Sequence, residues 1–380
     1  MARRAVRRLL LTLVGLAAIA ASLTACASDD ADPLSLEDAV GQMLLIGFRG
    51  ETLDDETTAL LDEISPGGVI LFDYDGPSGG EQVRNIVSPE QLKALTADLQ
   101  EASERPLLIA IDAEGGFVNR LKEDYGFEVQ LPSHLTLGAG TPAETESLAA
   151  ASARQLSYLG INWNLAPVVD VNVFPESPAI GYWERSFSDD PDAVADHAAA
   201  FARAHHDQGV VSTLKHFPGH GSAVGDTHLG VTDVTDSFIR EAELAPYRTL
   251  IDDGYDDVVM TAHVVNRNLD PSARPATLSR PIVTDLLRGE LGFDGVILSD
   301  DMQMGAILEQ YSLETAAIEA IKAGVDVILI ANQNTYDIDH VRRVKAAIIA
   351  AVEGGEISRQ RIDESVERIL ALKRRYGLIN

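Results

Sequence analysis

Cysteine is almost missing: Cys26 is the only one in 380 residues. A lone thiol permits no internal disulfide and no cysteine-rich zinc module. Positive charge is scarce as well, with 30 Lys and Arg against 59 Asp and Glu and a formal charge of −29. A surface of that sign repels phosphate backbones, which excludes nucleic acid as a partner. No GxGxxG follows the early apolar runs, so the dinucleotide-binding fingerprint is lacking. The first such run ends in "IGFRG", without the HxH pair that metal-dependent barrel hydrolases place there. Beyond residue 25 no apolar run approaches the roughly 20 residues that a membrane-spanning helix needs.

What is present begins with a leader-like segment. "MARRAVRR" carries four arginines and no acid, and the 15-residue apolar run "LLLTLVGLAAIAASL" follows it. A basic stretch, an apolar stretch and a small-residue processing site form the pattern of a secretory signal peptide. "LTAC", Leu23 to Cys26, resembles a bacterial lipobox, which makes residues 1–25 the signal peptide and Cys26 the lipidated new N-terminus. Arg7-Arg8 leaves a twin-arginine export route open beside the general one. Residues 26–35, "CASDDADPLS", form a short, polar, flexible tether. The expected location is extracytoplasmic, on the outer face of the cell membrane, held by the lipid anchor at Cys26.

From Leu36 onward short apolar runs alternate with longer amphipathic segments. The runs are "MLLIGF" (43–48), "GVILF" (68–72), "LLIAID" (107–112), "NWNLAPVVD" (162–170), "VVSTLKH" (210–216), "DVVMTAH" (257–263), "GVILSD" (295–300) and "DVILIA" (326–331). Each is mainly apolar and rich in β-branched residues, as strands buried on both faces are. Between them the pattern predicts helices at 89–101, 143–159, 191–208, 237–253 and 304–323. A last helix after Ser358 places Ile362, Val366, Ile369 and Leu370 on one face. Eight strands alternating with helices predict an α/β protein formed as a single (β/α)₈ TIM barrel over residues 36–380.

In such a barrel the chemistry sits where the strands end. Those ends carry Asp112 and Glu114, Asp170, Lys215 and His216, His263, Asp300 and Asp301, and then Asn332. So many ionisable groups at one face point to an enzyme rather than a binding module. Neighbouring residues on a strand face opposite ways, so of Asp300 and Asp301 one faces the cavity. The other supports it, and Asp301 is placed to cap a helix starting near Met302.

The densest stretch is "KHFPGHGSAVGDTHLG", Lys215 to Gly230, with three histidines and four glycines. Spacing of H-x3-H-x7-H suits zinc, yet the early ligands of a metal-dependent barrel are missing. Asp226 and His228 stand at i and i+2, where a carboxylate orients an imidazole for proton transfer. The glycines allow that pair to fold over the cavity on a loop.

"KHFPGHG" followed by "DTH", with "SDDMQM", "IDAEGGFVNR" (111–120) and "IGYWERSF" (180–187), resembles the β-N-acetylglucosaminidases of glycoside hydrolase family 3. The resemblance covers the chain from about Leu36 to Leu378. It implies a retaining exo-β-N-acetylglucosaminidase that releases terminal β-linked N-acetylglucosamine from cell-wall-derived glycans or muropeptides. Asp300 is then the nucleophile, and His228, paired with Asp226, the acid/base. Asp112, Arg120, Arg185, Lys215 and His216 hold the non-reducing sugar. A monomer with no cofactor and no metal is expected. Thr227 stands where the family commonly has Ser. "IGYWERSF" has two more residues before its arginine than the simple "IGxRSF" form, so Arg185 should approach from an altered loop. The alternatives are phosphorolysis of the same glycosides, a β-glucosidase of the same family, catalysis by the substrate's own acetamido group, a metal-dependent barrel hydrolase and a sugar-binding lipoprotein.

Overall fold

The computed structural model describes residues 34–380. The leader, the Cys26 lipidation site and most of the tether therefore lie outside the described residues. Ser35 opens the described fold by accepting from the Asp38 N–H at 3.0 Å and so capping the helix Leu36–Gln42.

All eight expected strands form. They are β1 (Leu44–Gly47), β2 (Gly68–Leu71), β3 (Leu108–Ile111), β4 (Trp163–Asn164), β5 (Thr213–Phe217), β6 (Val258–Thr261), β7 (Val296–Ser299) and β8 (Ile328–Ile330). Every residue in them is buried, so both faces are covered and the sequence shows apolar runs rather than alternation. The strands are parallel. One sheet has the order β8-β1-β2-β3-β4 and the other β7-β6-β5. Isolated parallel bridges join β4 to β5 at Trp163–Val211 and Val168–Lys215, and β7 to β8 at Leu298–Val327. The architecture is α/β.

The helices begin where local chemistry allows. Pro142 follows Thr141, which forms a reciprocal capping box with Glu144. Ser88 caps Pro89–Ala102, and Asp190 caps Pro191–His206; such caps contribute about 1 kcal/mol each. Two expected helices are broken. The segment 237–253 divides into Arg240–Glu243 and Ala245–Asp252, because Pro246 has no N–H to return to the preceding turn. The segment 304–323 divides into Gly305–Leu308 and Leu313–Ala323, with Ser312 recapping the second. On the last helix, Arg359–Arg375, Ile362, Val366 and Ile369 are buried as expected, but Leu370 is only half-buried. Lys373 replaces it as an inward group, donating to Gln42 Oε1 at 2.8 Å and the Pro106 carbonyl at 2.7 Å.

Two small pairings were not legible as strands. An antiparallel hairpin, Ala113–Gly115 with Val118–Asn119, rises directly from the end of β3. A two-residue parallel pair joins Thr232–Asp233 to Val264–Val265. The hairpin carries Glu114 into the lining of the cavity described below. Among the described residues no helix is long and apolar enough to cross a membrane.

Candidate active site

A cavity opens at the C-terminal ends of the strands. Asp112, Arg120, Arg185, Lys215, His216, His228 and Asp300 all line it. Asp226 stands behind His228 rather than in the lining. Seven of the eight expected protein groups thus meet at one place, and the eighth touches one of them.

One end of the cavity is an interlocked set of ion pairs. Asp112 and Glu114 are two residues apart and face the same way, and both reach Lys215, at 3.0 and 2.7 Å. Asp112 also accepts from Arg120 at 3.1 Å. Glu114 takes a two-pronged bond from Arg185, at 2.9 and 2.8 Å. Burial disfavours every one of these charges, but the opposite charges outweigh it. Lys215 and Arg120 hold the Asp112 carboxyl below its usual value, while Arg185 and Lys215 hold that of Glu114 well below. Burial likewise works against the Arg185 and Lys215 cations, whose carboxylate partners keep them charged. Bonded groups of both signs with spare lone pairs and N–H donors are suited to a polyhydroxylated ring.

Arg185 comes in on a loop. A short helical turn, Gly181–Trp183, precedes it and Glu184 takes a left-handed conformation, φ 54°. The inserted Tyr182 and Trp183 stay outside the cavity lining, packed edge-on at 5.0 Å between ring centres. Arg185 Nη2 also points at His216 Nε2, 3.2 Å away, and His216 Nδ1 meets Asp170 at 2.7 Å. Both ring nitrogens of His216 therefore have partners, Arg185 at Nε2 and Asp170 at Nδ1.

The two carboxylates after β7 both line the cavity, against the expectation that only one would, and they differ in their partners. Asp300 lines the cavity and accepts from the Asp301 N–H at 2.8 Å. Burial alone would raise its pKa; His263, His216 and His228 outweigh that and hold it below the usual value. It is therefore ionised at neutral pH. Asp301 accepts from the N–H groups of Gln303 and Ala331, at 3.2 and 3.1 Å, tying the turn to the end of β8. Burial pushes its carboxyl up to about 6. The helix beyond starts at Gly305 rather than near Met302, so Asp301 braces a turn instead of capping that helix. His263, at the end of β6, bonds Thr277 and the Asp301 carbonyl and is buried.

Asp226 and His228 form the expected pair. Asp226 Oδ1 accepts from both Nδ1 and the backbone N–H of His228, at 2.7 and 2.9 Å. Nε2 is then the ring nitrogen left for the cavity. The hydrogen bond to His228 is the main reason that the Asp226 carboxyl sits at about 2. Partial burial lowers the His228 pKa, but Asp226 and the nearby Asp300 raise it more, leaving it above the ordinary value. The imidazole is about half-exposed, so solvent moderates the effect.

The three histidines of the dense stretch thus have separate partners: Asp170 and Arg185 for His216, Thr227 for His220, Asp226 for His228. Among the described residues no group of three or more His, Cys, Asp or Glu is arranged to hold a metal ion. Glu114 and Asp170 are the working members that had no assigned role in the sequence. The i, i+2 relation of Glu114 to Asp112 was the available signal for the first.

Residues 35–372 match the glycosyl hydrolase family 3 N terminal domain. The chain belongs to glycosyl hydrolase family 3. Beta-hexosaminidase A of Pseudoalteromonas piscicida is 34% identical, over 90% of this chain and 61% of the relative. A family 3 β-N-acetylglucosaminidase from Paenibacillus sp. superposes with a TM-score of 0.83 at 39% identity, covering 91% of this chain and 63% of that one. The family 3 chain thus spans about three fifths of the length of these two. A β-N-acetylhexosaminidase from Beutenbergia cavernae matches at TM-score 0.80 and 34% identity, over 90% of this chain and 99% of its own.

Proposed function

We propose that the protein is a retaining exo-β-N-acetylglucosaminidase acting on terminal, non-reducing β-linked N-acetylglucosamine in cell-wall-derived glycans. One observation carries the reading. An ionised carboxylate, Asp300, shares a cavity with an imidazole whose Nδ1 is committed to Asp226 and whose Nε2 is free for substrate. Asp300 attacks the anomeric carbon while the bond to the leaving oxygen breaks, and that oxygen takes the proton from His228 Nε2. The resulting glycosyl-Asp ester is then attacked by water, His228 accepts the water's proton, and the Asp300 carboxylate is released. The raised pKa of His228 keeps the first proton available near neutral pH. Asp112 accepts from sugar hydroxyls, while Arg120, Arg185, Lys215 and His216 orient the ring. The names of the relatives support a 2-acetamido sugar.

A 5-fluoro-β-N-acetylglucosaminyl fluoride tests this directly. It should inactivate the enzyme and leave a sugar ester on the peptide containing Asp300. Inactivation with the label on another residue would refute the assignment. Sugar 1-phosphate formed on adding phosphate would replace hydrolysis by phosphorolysis.

The two parallel sheets are read as one closed (β/α)₈ barrel, a reading supported by the isolated bridges at both seams. The working location is the outer face of the cell membrane, supported by the "LTAC" motif ending at Cys26. Metabolic labelling with a radioactive fatty acid should mark the wild type and leave Cys26→Ala unlabelled.

A further inference from the structure

Beneath the loop bearing Asp226 and His228 lies a histidine with no catalytic part. His220 is buried, and only its Nε2 has a partner, the Thr227 hydroxyl at 3.1 Å; Nδ1 has none. Its backbone N–H donates to Asp170 Oδ1 at 2.7 Å, and the other oxygen of that carboxylate holds His216. Thr227 is buried too, although the His228 ring beside it is half-exposed. The loop is also held from the side. The N–H groups of Gly305 and Ala306, just past the Asp300–Asp301 turn, donate to the carbonyls of His228 and Thr227 at 3.2 and 3.1 Å. Gly305 lies so close that a side chain's first carbon there would come within 2.8 Å of the Leu229 carbonyl carbon.

Hydrophobic packing contributes little to placing this loop. Val224, Leu229 and Val231 are all exposed, at 68%, 82% and 45%. A segment with so few buried apolar contacts is positioned by its hydrogen bonds. Burial pushes the His220 imidazole down to about 4, so it is neutral near pH 7 and places no second cation beside His228. Neither His220 nor Thr227 lines the cavity.

We infer that Thr227 and His220 are positioning residues for the acid/base step. Their hydrogen bond, with the two backbone bonds from Gly305 and Ala306, aims His228 Nε2 at the bond being broken. The inference rests on the proposed glycosidase mechanism, and its test separates the two. N,N′-diacetylchitobiose has a leaving oxygen that must be protonated, whereas 2,4-dinitrophenolate departs unaided. In Thr227→Val, kcat/KM for diacetylchitobiose should fall about 10- to 100-fold, the size of loss that a misplaced catalytic group causes. For the dinitrophenyl N-acetylglucosaminide kcat/KM should stay within about threefold, because that step needs no acid. Its kcat should fall with a pre-steady-state burst, since water attack still needs His228, and azide should restore turnover. Thr227→Ser should behave like wild type. Poor folding would lower both substrates alike, so equal losses, no loss, or failure of Thr227→Ser would overturn the inference. If His228→Ala itself shows no split between the substrates, the acid/base reading beneath it falls instead.

Discussion

The ionic end of the cavity and the loop facing it differ in how many bonds fix each charged group. Lys215 has two carboxylates, and Arg185 has both oxygens of Glu114, the Ala179 carbonyl and His216. The His228 side chain has one partner, Asp226, on a half-exposed loop. Asp112, Glu114 and Lys215 grow from strand ends and their hairpin, whose backbone is already paired, and they fix Arg185, which comes in on a loop. The loop bearing His228 belongs to no strand and is held by the bonds from Gly305, Ala306 and His220. A ring-binding subsite benefits from rigidity, while a proton donor that must admit and release substrate benefits from a lighter attachment.

Substitutions can break this contrast. The largest effect is expected at Asp300, the group both regions address. Asp300→Ala should lower kcat on diacetylchitobiose by about 10⁴-fold or more, as loss of a nucleophile does, with the urea unfolding midpoint little changed. At the ionic end, Glu114→Gln should lose about 3–5 kcal/mol of stability, because two buried cations lose a shared charge. Urea titration checks it; a change under about 1 kcal/mol would show that the ionic end is not the stiffer region. The smallest effect belongs to the loop. Asp226→Asn should cost less than about 1 kcal/mol of stability, since the pair is partly exposed. It should instead move a pH limb. In the proposed mechanism protonated His228 is the acid, so kcat/KM for diacetylchitobiose should fall as pH rises through a pKa above the ordinary imidazole value. Removing the Asp226 charge lowers that pKa, and the fall should begin at lower pH. An unmoved limb would mean that the charge of Asp226 does not tune His228.

The eight strands were legible because burial on both faces turns each into an unbroken apolar run. The hairpin 113–119 was not, since two or three residues around "EGG" carry no period. Pro246 was visible, but the length of the surrounding apolar pattern hid its effect on the helix. Among site groups, Lys215, Asp300 and the Asp226–His228 pair were readable from strand ends and local spacing. Glu114 and Asp170 were visible at strand ends, yet their work is to face residues on other strands. Which strand faces which is a property of the assembled sheet, absent from any local window. His220 could be found in the sequence as a histidine, but its position beneath the loop could not.

Asp170 has a wider consequence. Its carboxylate takes the His216 ring on one oxygen and the backbone N–H groups of His220 and His216 on the other, so the ionic end and the loop share a hinge pin. Changes at His216 and Thr227, whose side chains bond different partners, should therefore be epistatic, each altering what the other costs. A lineage that retunes this cavity for another ligand would then have to move both positions together or keep both as they are.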